Sequence, residues 1–364
     1  MKTFKIKEIC HLEKGKQIDT TLLSDGNPYK YINGGIKESG YYTTYNTEGE
    51  AVLVSEGGAS CGYVNYINEK FWCGCHCYKL TKCKFLPKYI YYALKGNQEK
   101  LMALRTGAAM PNIKKTTFQD MELLLNENHT EQELVIKELD KIQIALEIKK
   151  TELIALDDLV KSRFIEMFGD PVENPKGWDK RPLSDECEII TGNTPSRKKP
   201  NYYGDFIEWI KSDNINTPNA LLTPAAESLS EEGLKVGRSV EKDCILMTCI
   251  AGSIGCIGNV SVTDRKVAFN QQINAIIPNK NNVWFLYVLF DLSKSYIQST
   301  VTMALKGILS KGQLSKIEFI FPPIEIQNEF AEFVKLTDKS KFIVQKQIED
   351  LQELLDSKMD EYFG

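Results

Sequence analysis

The sequence predicts an α+β protein in which two globular mixed-sheet domains, related by an internal repeat, are separated by two long helices packed as an antiparallel coiled coil. Three observations predict it. Residues 131–169 carry one unbroken helical pattern; an ungapped shift of 195 residues lays its landmarks on residues 326–364; and the stretches before the two helices share an order of short apolar runs and glycine turns.

Stepping alternately four and three residues from Val135 gives Val135, Leu139, Ile142, Leu146, Lys149, Leu153, Leu156, Val160, Arg163 and Met167, with no Gly or Pro before Gly169. A 3.5-residue apolar period of this length is a coiled-coil seam. Such a helix rises roughly 55 Å at 1.5 Å per residue, too long for one compact interior, so it requires a partner of similar length. The repeat supplies one. Gln132, Ile148, Leu156, Leu159, Ser162, Glu166, Phe168 and Gly169 fall on the identical Gln327, Ile343, Leu351, Leu354, Ser357, Glu361, Phe363 and Gly364. The second seam reads Phe330, Val334, Thr337, Lys341, Val344, Ile348, Leu351, Leu355, Lys358 and Tyr362. Lys149, Arg163, Lys341 and Lys358 interrupt the apolar stripes. Charges are costly to bury unpaired, which makes these four candidates for register-setting or partner contacts.

The expected boundaries are 1–127 for the first globular domain, 128–169 for the first helix, 170–323 for the second domain and 324–364 for the second helix. In the first domain β-like runs at 29–32, 51–54, 63–67 and 71–80 alternate with turns at Gly34-Gly35 and Gly57-Gly58. A helical stretch, PKYIYYALKGNQEKLMAL, opens with Pro87 in its first turn, and the stretch 106–125 (TGAAMPNIKKTTFQDMELLL) gives a loop and a final strand or turn into the first long helix. The second domain answers this plan. Cys10 falls over Cys187 and Gly15 over Gly192; VLVSEGGASCGYV answers ILMTCIAGSIGCI, placing Ser60 and Gly62 over Ser253 and Gly255. Insertions enlarge the second copy at 196–205 and 216–228.

Charge is unevenly spread. Residues 1–125 carry a net +5 and 171–322 a net +1, whereas 126–170 and 323–364 each carry −5. A phosphate backbone would be met by the globular domains, with the helices turned elsewhere. The ten cysteines are scattered rather than framed, which suggests reduced thiols and a cytoplasmic location. The start, MKTFKIKEIC, has no apolar signal segment, and the apolar runs at 244–258 and 283–290 are too short or too glycine-rich to span a bilayer.

Motifs for chemistry are weak. Cys73, Cys75, His76 and Cys77, with Cys83 beyond, invite a metal reading, but their one-residue spacing departs from the paired spacing of zinc sites. On a strand it puts the three thiols on one face, where buried thiols are the simpler reading. Gly252-Ser253-Ile254-Gly255 is a tight turn rather than a dinucleotide loop, because VSVTDRKVAFN after it reads as a hairpin. Pro322-Pro323 lacks the amide and aromatic of an amino-methyltransferase motif. His11, His76 and His129 have no nucleophile at a family spacing. The loop 194–203 (TPSRKKPNYY) joins three cations to hydroxyls, an amide and two tyrosines, the mixture that reaches phosphates and base edges. The first domain's GKQIDTTLLSDGNPYKY is similarly polar.

Together these features resemble the specificity (S) subunit of a type I restriction-modification system, over essentially the whole chain. The resemblance rests on the tandem frame, on GNTP followed by a polar loop and FIEWIKSDNI, on GSIG followed by FNQQINAIIP, and on two helices ending in Phe-Gly. The first copy departs, with Gly15-Lys16-Gln17 for GNTP and ASCG for GSIG. The resemblance implies two target-recognition domains, each reading half of a split asymmetric sequence in double-stranded DNA. It further implies helices that set the gap and dock two methyltransferase (modification) subunits, with restriction subunits joining for cleavage. The chain itself would be non-catalytic and carry no cofactor or metal, S-adenosylmethionine, ATP and Mg belonging to the partners. Candidate DNA-contacting residues are Lys14, Lys16, Gln17, Tyr29, Lys30 and Ser60 in the first domain. In the second they are Thr194, Ser196, Arg197, Lys198, Lys199, Tyr202, Tyr203, Lys211, Ser253 and Gln271. A helix spacer of roughly 55 Å allows no more than about 16 base pairs between half-site centres, and about 10 keeps both on one DNA face. Two other readings are a structural adaptor whose helices assemble protein partners without reading DNA, and an enzyme with a metal at Cys73, Cys75, His76 and Cys77.

Overall fold

The computed structural model describes residues 1–107, 110–217, 219–303 and 307–364. Ala108 and Ala109, in the expected loop and strand stretch 106–125, and Pro218, in the 216–228 insertion, lie outside them. The chain forms two compact units, Met1–Thr151 with Gln345–Gly364, and Glu152–Val344. Each long helix, His129–Phe168 and Ile324–Phe363, has 40 residues and contributes one part to each unit.

In the first unit an antiparallel sheet runs in the order His11–Lys14, Cys77–Thr81, Ala51–Ser55, Val64–Ile67. A second sheet joins Tyr41–Tyr42 antiparallel to Tyr29–Ile32, which pairs parallel with Phe71–Cys73. Lys2–Lys5 and Glu122–Leu125 close the module as an antiparallel pair. The Pro87–Gly96 helix, with Pro87 at its start where a missing N–H costs nothing, buries Tyr89, Ile90, Tyr92, Ala93 and Leu94.

The second unit repeats this topology. Its antiparallel sheet is ordered Cys187–Thr191, Ile273–Pro278, Ile245–Thr248, Val260–Val262. Ile207–Ile210 pairs parallel with Val267–Phe269, Lys180–Pro182 pairs with Glu318–Ile320, and the Val283–Leu292 helix fills the core. Two expectations are corrected. The run 71–80 is two strands in different sheets, Phe71–Cys73 pairing with Tyr29–Ile32 and Cys77–Thr81 with His11–Lys14 and Ala51–Ser55; between them Gly74 lies so close to Asn33 that a methyl group on it would stand 2.1 Å from Asn33 Oδ1. Likewise 260–269 is no hairpin: Val260–Val262 and Val267–Phe269 pair in different sheets.

Each module is tied to the start of its long helix by a buried glutamine. Gln132 is 2% exposed; its Oε1 accepts from Leu86 N at 3.1 Å and its Nε2 donates to Asn126 O at 2.9 Å. Gln327, 1% exposed, does the same with Asn282 N at 3.0 Å and Pro322 O at 2.8 Å. A buried amide with satisfied donors and acceptors fixes one register where apolar contacts would allow several.

Within each unit the helix segments run antiparallel. In the first, Glu138 meets Tyr362 at 2.6 Å and Lys358 at 3.2 Å. In the second, Asp157 meets Lys341, and Arg163 meets Glu329 at 3.4 Å. Lys341, Lys358 and Arg163, three of the four cations interrupting the seam, thus face a carboxylate on the other helix. Val135, Leu139, Ile142, Leu146, Val160, Phe330, Val334, Val344 and Leu355 are buried; Leu153, Leu156, Ile348 and Leu351 are half-buried. Aromatic residues close the ends. Phe168 packs on Phe285 and Phe330 at 5.0 and 5.5 Å between centroids, and Phe363 on Tyr89 at 5.2 Å.

Candidate nucleic-acid interface

Gly15 and Gly192 hold the same place in the two modules, where the chain leaves the antiparallel sheet and crosses the sheet that contains the parallel strand pair. A methyl group on Gly15 would stand 2.1 Å from Cys73 O, and one on Gly192 2.1 Å from Asn270 O. The next residue is pinned to the same strand end: Lys16 N donates to Cys73 O at 2.9 Å and Asn193 N to Phe269 O at 3.3 Å. The polar loops therefore start from one rigid point in each unit.

In the first unit Lys16 and Gln17 are exposed. Trp72 Nε1 donates to Lys16 O at 2.7 Å, and Gln17 Oε1 accepts from Asn33 at 3.3 Å and from the Cys75 thiol at 3.0 Å. His76 N in turn donates to Asn33 Oδ1 at 3.3 Å. These two candidates thus gather with Trp72, Asn33, Cys75 and His76, which were not among the expected contacts. The others lie apart. Lys14 pairs with Glu56 at 2.6 Å, Lys30 with Glu69 at 2.5 Å, and Tyr29 packs on Tyr45, over which Lys70 sits at 4.5 Å. Ser60 donates to Gly34 O at 2.5 Å, so its hydroxyl anchors a loop.

The cysteines here do not share a strand face. Cys73 and Cys77 are buried on separate strands and Cys75 lies in the turn between them. The two buried thiols share a hydrogen bond that raises Cys77 and lowers Cys73. Among the described residues no group of three or more His, Cys, Asp or Glu is placed to hold a metal ion.

In the second unit the loop 194–203 folds back on itself. Tyr203 Oη donates to Pro195 O at 2.6 Å, and the Arg197 guanidinium lies over the rings of Tyr203 at 4.3 Å and Trp209 at 5.4 Å. Arg197 pairs with Glu227 at 2.6 Å and Lys211 takes the other carboxylate oxygen. Lys211 first, and Arg197 after it, hold the Glu227 carboxyl below its usual range against the opposing effect of burial. Lys199 Nζ donates to Tyr202 Oη at 3.1 Å. Thr194, Ser196, Lys198, Ser253 and Gln271 are exposed. Arg197, Tyr203 and Lys211 are thus brought together by Trp209 and Glu227, two residues the sequence reading passed over.

Gly62 matches Gly258 rather than Gly255. Both have left-handed backbone, φ 78° and 84°, and both donate from N to the end of the equivalent strand, Ser55 O at 2.8 Å and Thr248 O at 2.9 Å. Ser253 and Gly255 belong to an extra exposed turn, in which Gly255 N donates to Ser253 Oγ at 3.3 Å.

The architecture defines a class of duplicated α+β proteins, one module built twice on a pair of long helices. The chain matches the type I restriction modification DNA specificity domain over residues 1–157 and 175–353, and it belongs to that family. It is 24% identical over 361 residues to a putative type I specificity subunit of Mycoplasma genitalium, covering 98% of this chain and 87% of that one. The HindI specificity subunit of Haemophilus influenzae is 32% identical over 196 residues, 50% of this chain and 40% of that protein. Among solved structures, the S subunit of the M. genitalium type I system superposes with a TM-score of 0.64 at 21% identity, covering 100% of this chain and 96% of that one. A chain from a structure of type I R-M complex assembly and conformational transition gives a TM-score of 0.56 at 12% identity, covering 99% and 97%. At these identities the superpositions establish the fold. Membership of a DNA specificity family favours the DNA-reading interpretation over the adaptor. Among the described residues no helix is long and apolar enough to cross a membrane.

Proposed function

We propose that this chain is the sequence-reading subunit of a type I restriction-modification complex, each module reading one half of a split, asymmetric DNA target. The observation that carries this reading is duplication with divergence: one sheet order and one parallel strand pair occur twice, while the loops leaving Gly15 and Gly192 differ in length and chemistry. Two equal frames with unlike loops suit two unlike half-sites. Lys16 and Gln17 in the first module, and Arg197, Lys198, Lys199, Lys211 and Gln271 in the second, are the residues assigned to DNA, the cations to phosphates and the amides to base edges.

The helices set the gap between half-sites and dock two methyltransferase subunits; restriction subunits join for cleavage. Exposed apolar residues support docking in duplicate, because the repeat preserves them as well as the seam. Ile148 and Ile343 are 59% and 57% exposed, and Leu159 and Leu354 are 48% and 45% exposed. The chain contributes recognition, and S-adenosylmethionine, ATP and Mg act in its partners. Inserting one heptad near Lys150 and another near Gln345 tests the reading by methylome sequencing: both half-sites persist and the gap lengthens. Altered half-sites with an unchanged gap would sink it.

A further inference from the structure

The second module holds two cations on one carboxylate above one indole. Trp209 is 3% exposed and forms the floor, with the Arg197 guanidinium 5.4 Å and Lys211 Nζ 5.3 Å from its ring. Trp209 N donates to Glu227 O at 2.9 Å, so the floor and the carboxylate ride on paired backbone. Glu227 gives Oε2 to Arg197 at 2.6 Å and Oε1 to Lys211. One oxygen per cation is the arrangement that the two non-bridging oxygens of a phosphodiester present. The Tyr203 and Trp209 rings attract the cations independently of Glu227, so both stay in place when its charge is removed.

We propose that Glu227 is a stand-in for a DNA phosphate: it occupies Arg197 and Lys211 until a phosphodiester displaces it, and thereby restrains this module from binding DNA of unrelated sequence. The inference rests on the reading of residues 194–211 as DNA-facing. Displacement brings a carboxylate and a phosphate together, a like-charge contact that is unfavourable. Base contacts offset that cost only where the sequence fits, so Glu227 taxes non-specific complexes more than specific ones. Glu227 is a positioning and specificity-determining residue.

The test is fluorescence anisotropy of the full chain on a labelled random-sequence duplex across a salt series. Glu227→Gln keeps an oxygen and loses the charge. It is expected to bind about three- to tenfold tighter at low salt, with a log K against log salt slope steeper by about one to two. Lys198→Ala removes an exposed cation that has no side-chain partner among the described residues; it is expected to weaken binding and to make the slope shallower by about one. If neither variant changes binding, this surface does not meet DNA and the reading falls with the inference. If Lys198→Ala weakens binding while Glu227→Gln leaves it unchanged or weakens it, the reading stands and the inference is overturned. Should Glu227→Gln fail to fold, Glu227→Asp, too short to span both cations, takes its place; there unchanged affinity overturns the inference and tighter binding supports it.

Discussion

Glu208 and Arg265 form the same ion pair as Lys30 and Glu69, with the charges exchanged. The strand pairs Ile32 with Cys73 in one module and Ile210 with Phe269 in the other; two residues before the first partner stand Lys30 and Glu208, and four before the second stand Glu69 and Arg265. Lys30 meets Glu69 at 2.5 Å, and Arg265 grips both oxygens of Glu208, Nη2 to Oε1 at 3.0 Å. The two positions carry the reversal together. Glu208→Lys is expected to destabilise the second module by about 1–2 kcal/mol and the double variant Glu208→Lys, Arg265→Glu to recover most of it. Thermal denaturation of the four members of the cycle measures the coupling.

The same pair sets an acid limit. Arg265 holds the Glu208 carboxyl below the ordinary glutamate range. A depressed folded-state value contributes stability that is present above the unfolded value, about 4.3, and is lost as pH falls through the folded one. Chemical denaturation between pH 7 and pH 3 is expected to show constant stability down to about 5 and a decline below about 4.3. Glu208→Gln is expected to start lower at pH 7 and to lose less on acidification.

Gly15→Ala and Gly192→Ala are each expected to destabilise their own module by about 2–4 kcal/mol. The added methyl meets a backbone carbonyl at 2.1 Å in both modules, and backbone, unlike a long side chain, cannot rotate away. Denaturant midpoints report the loss. Equal stability of Gly15→Ala and the parent would show that this crossing is not fixed.

The aromatic helix ends make a spatially unexpected prediction. Phe363→Ala is expected to loosen residues 1–151, where Phe363 packs with Tyr89 and is 1% exposed. Phe168→Ala is expected to loosen 152–344, where it packs with Phe285 and Phe330. Each removes a buried aromatic worth about 3–5 kcal/mol. Hydrogen exchange read peptide by peptide assigns the loss to one unit or the other.

If the exposed apolar residues shared by the repeat dock two methyltransferase subunits, as proposed, they set a stoichiometry that can be counted. Ile148→Asp is expected to lower the number of bound methyltransferase subunits from two to one, Ile343→Asp to do the same, and the pair to abolish docking, each with the parent's thermal stability. Native mass spectrometry counts the subunits.

The helices and the repeat were legible because their signals are local and periodic. The seam shows in any window around Val135 or Val334, and Gln132 and Gln327 stand at matched positions before their hydrogen bonds are known. Sheet membership was not. Nothing near 71–80 shows that Gly74 must clear Asn33, and nothing near 260–269 shows that the two strands belong to different sheets. The candidate site was half legible for the same reason. The cations of 194–203 are plain in sequence, but the carboxylate that holds Arg197 lies 30 residues away, and the one that holds Lys14 lies 42 away. Composition counts charges; only the fold says which are already spent.

Leu355, Met359 and Phe363 are packed in the same core as Ile90, Tyr92 and Leu94, and Phe363 O accepts from Asn97 Nδ2 at 3.3 Å. During translation the whole of residues 152–344 leaves the ribosome between the first module and the segment that finishes its interior. The second module, contiguous in sequence, can complete its core at once, whereas the first must wait with an apolar seam uncovered. The core of the first module is therefore completed only after the second module has been synthesised. A stop codon directly after residue 344 would remove no residue of the second module and would strip Leu355, Met359 and Phe363 from the core of the first.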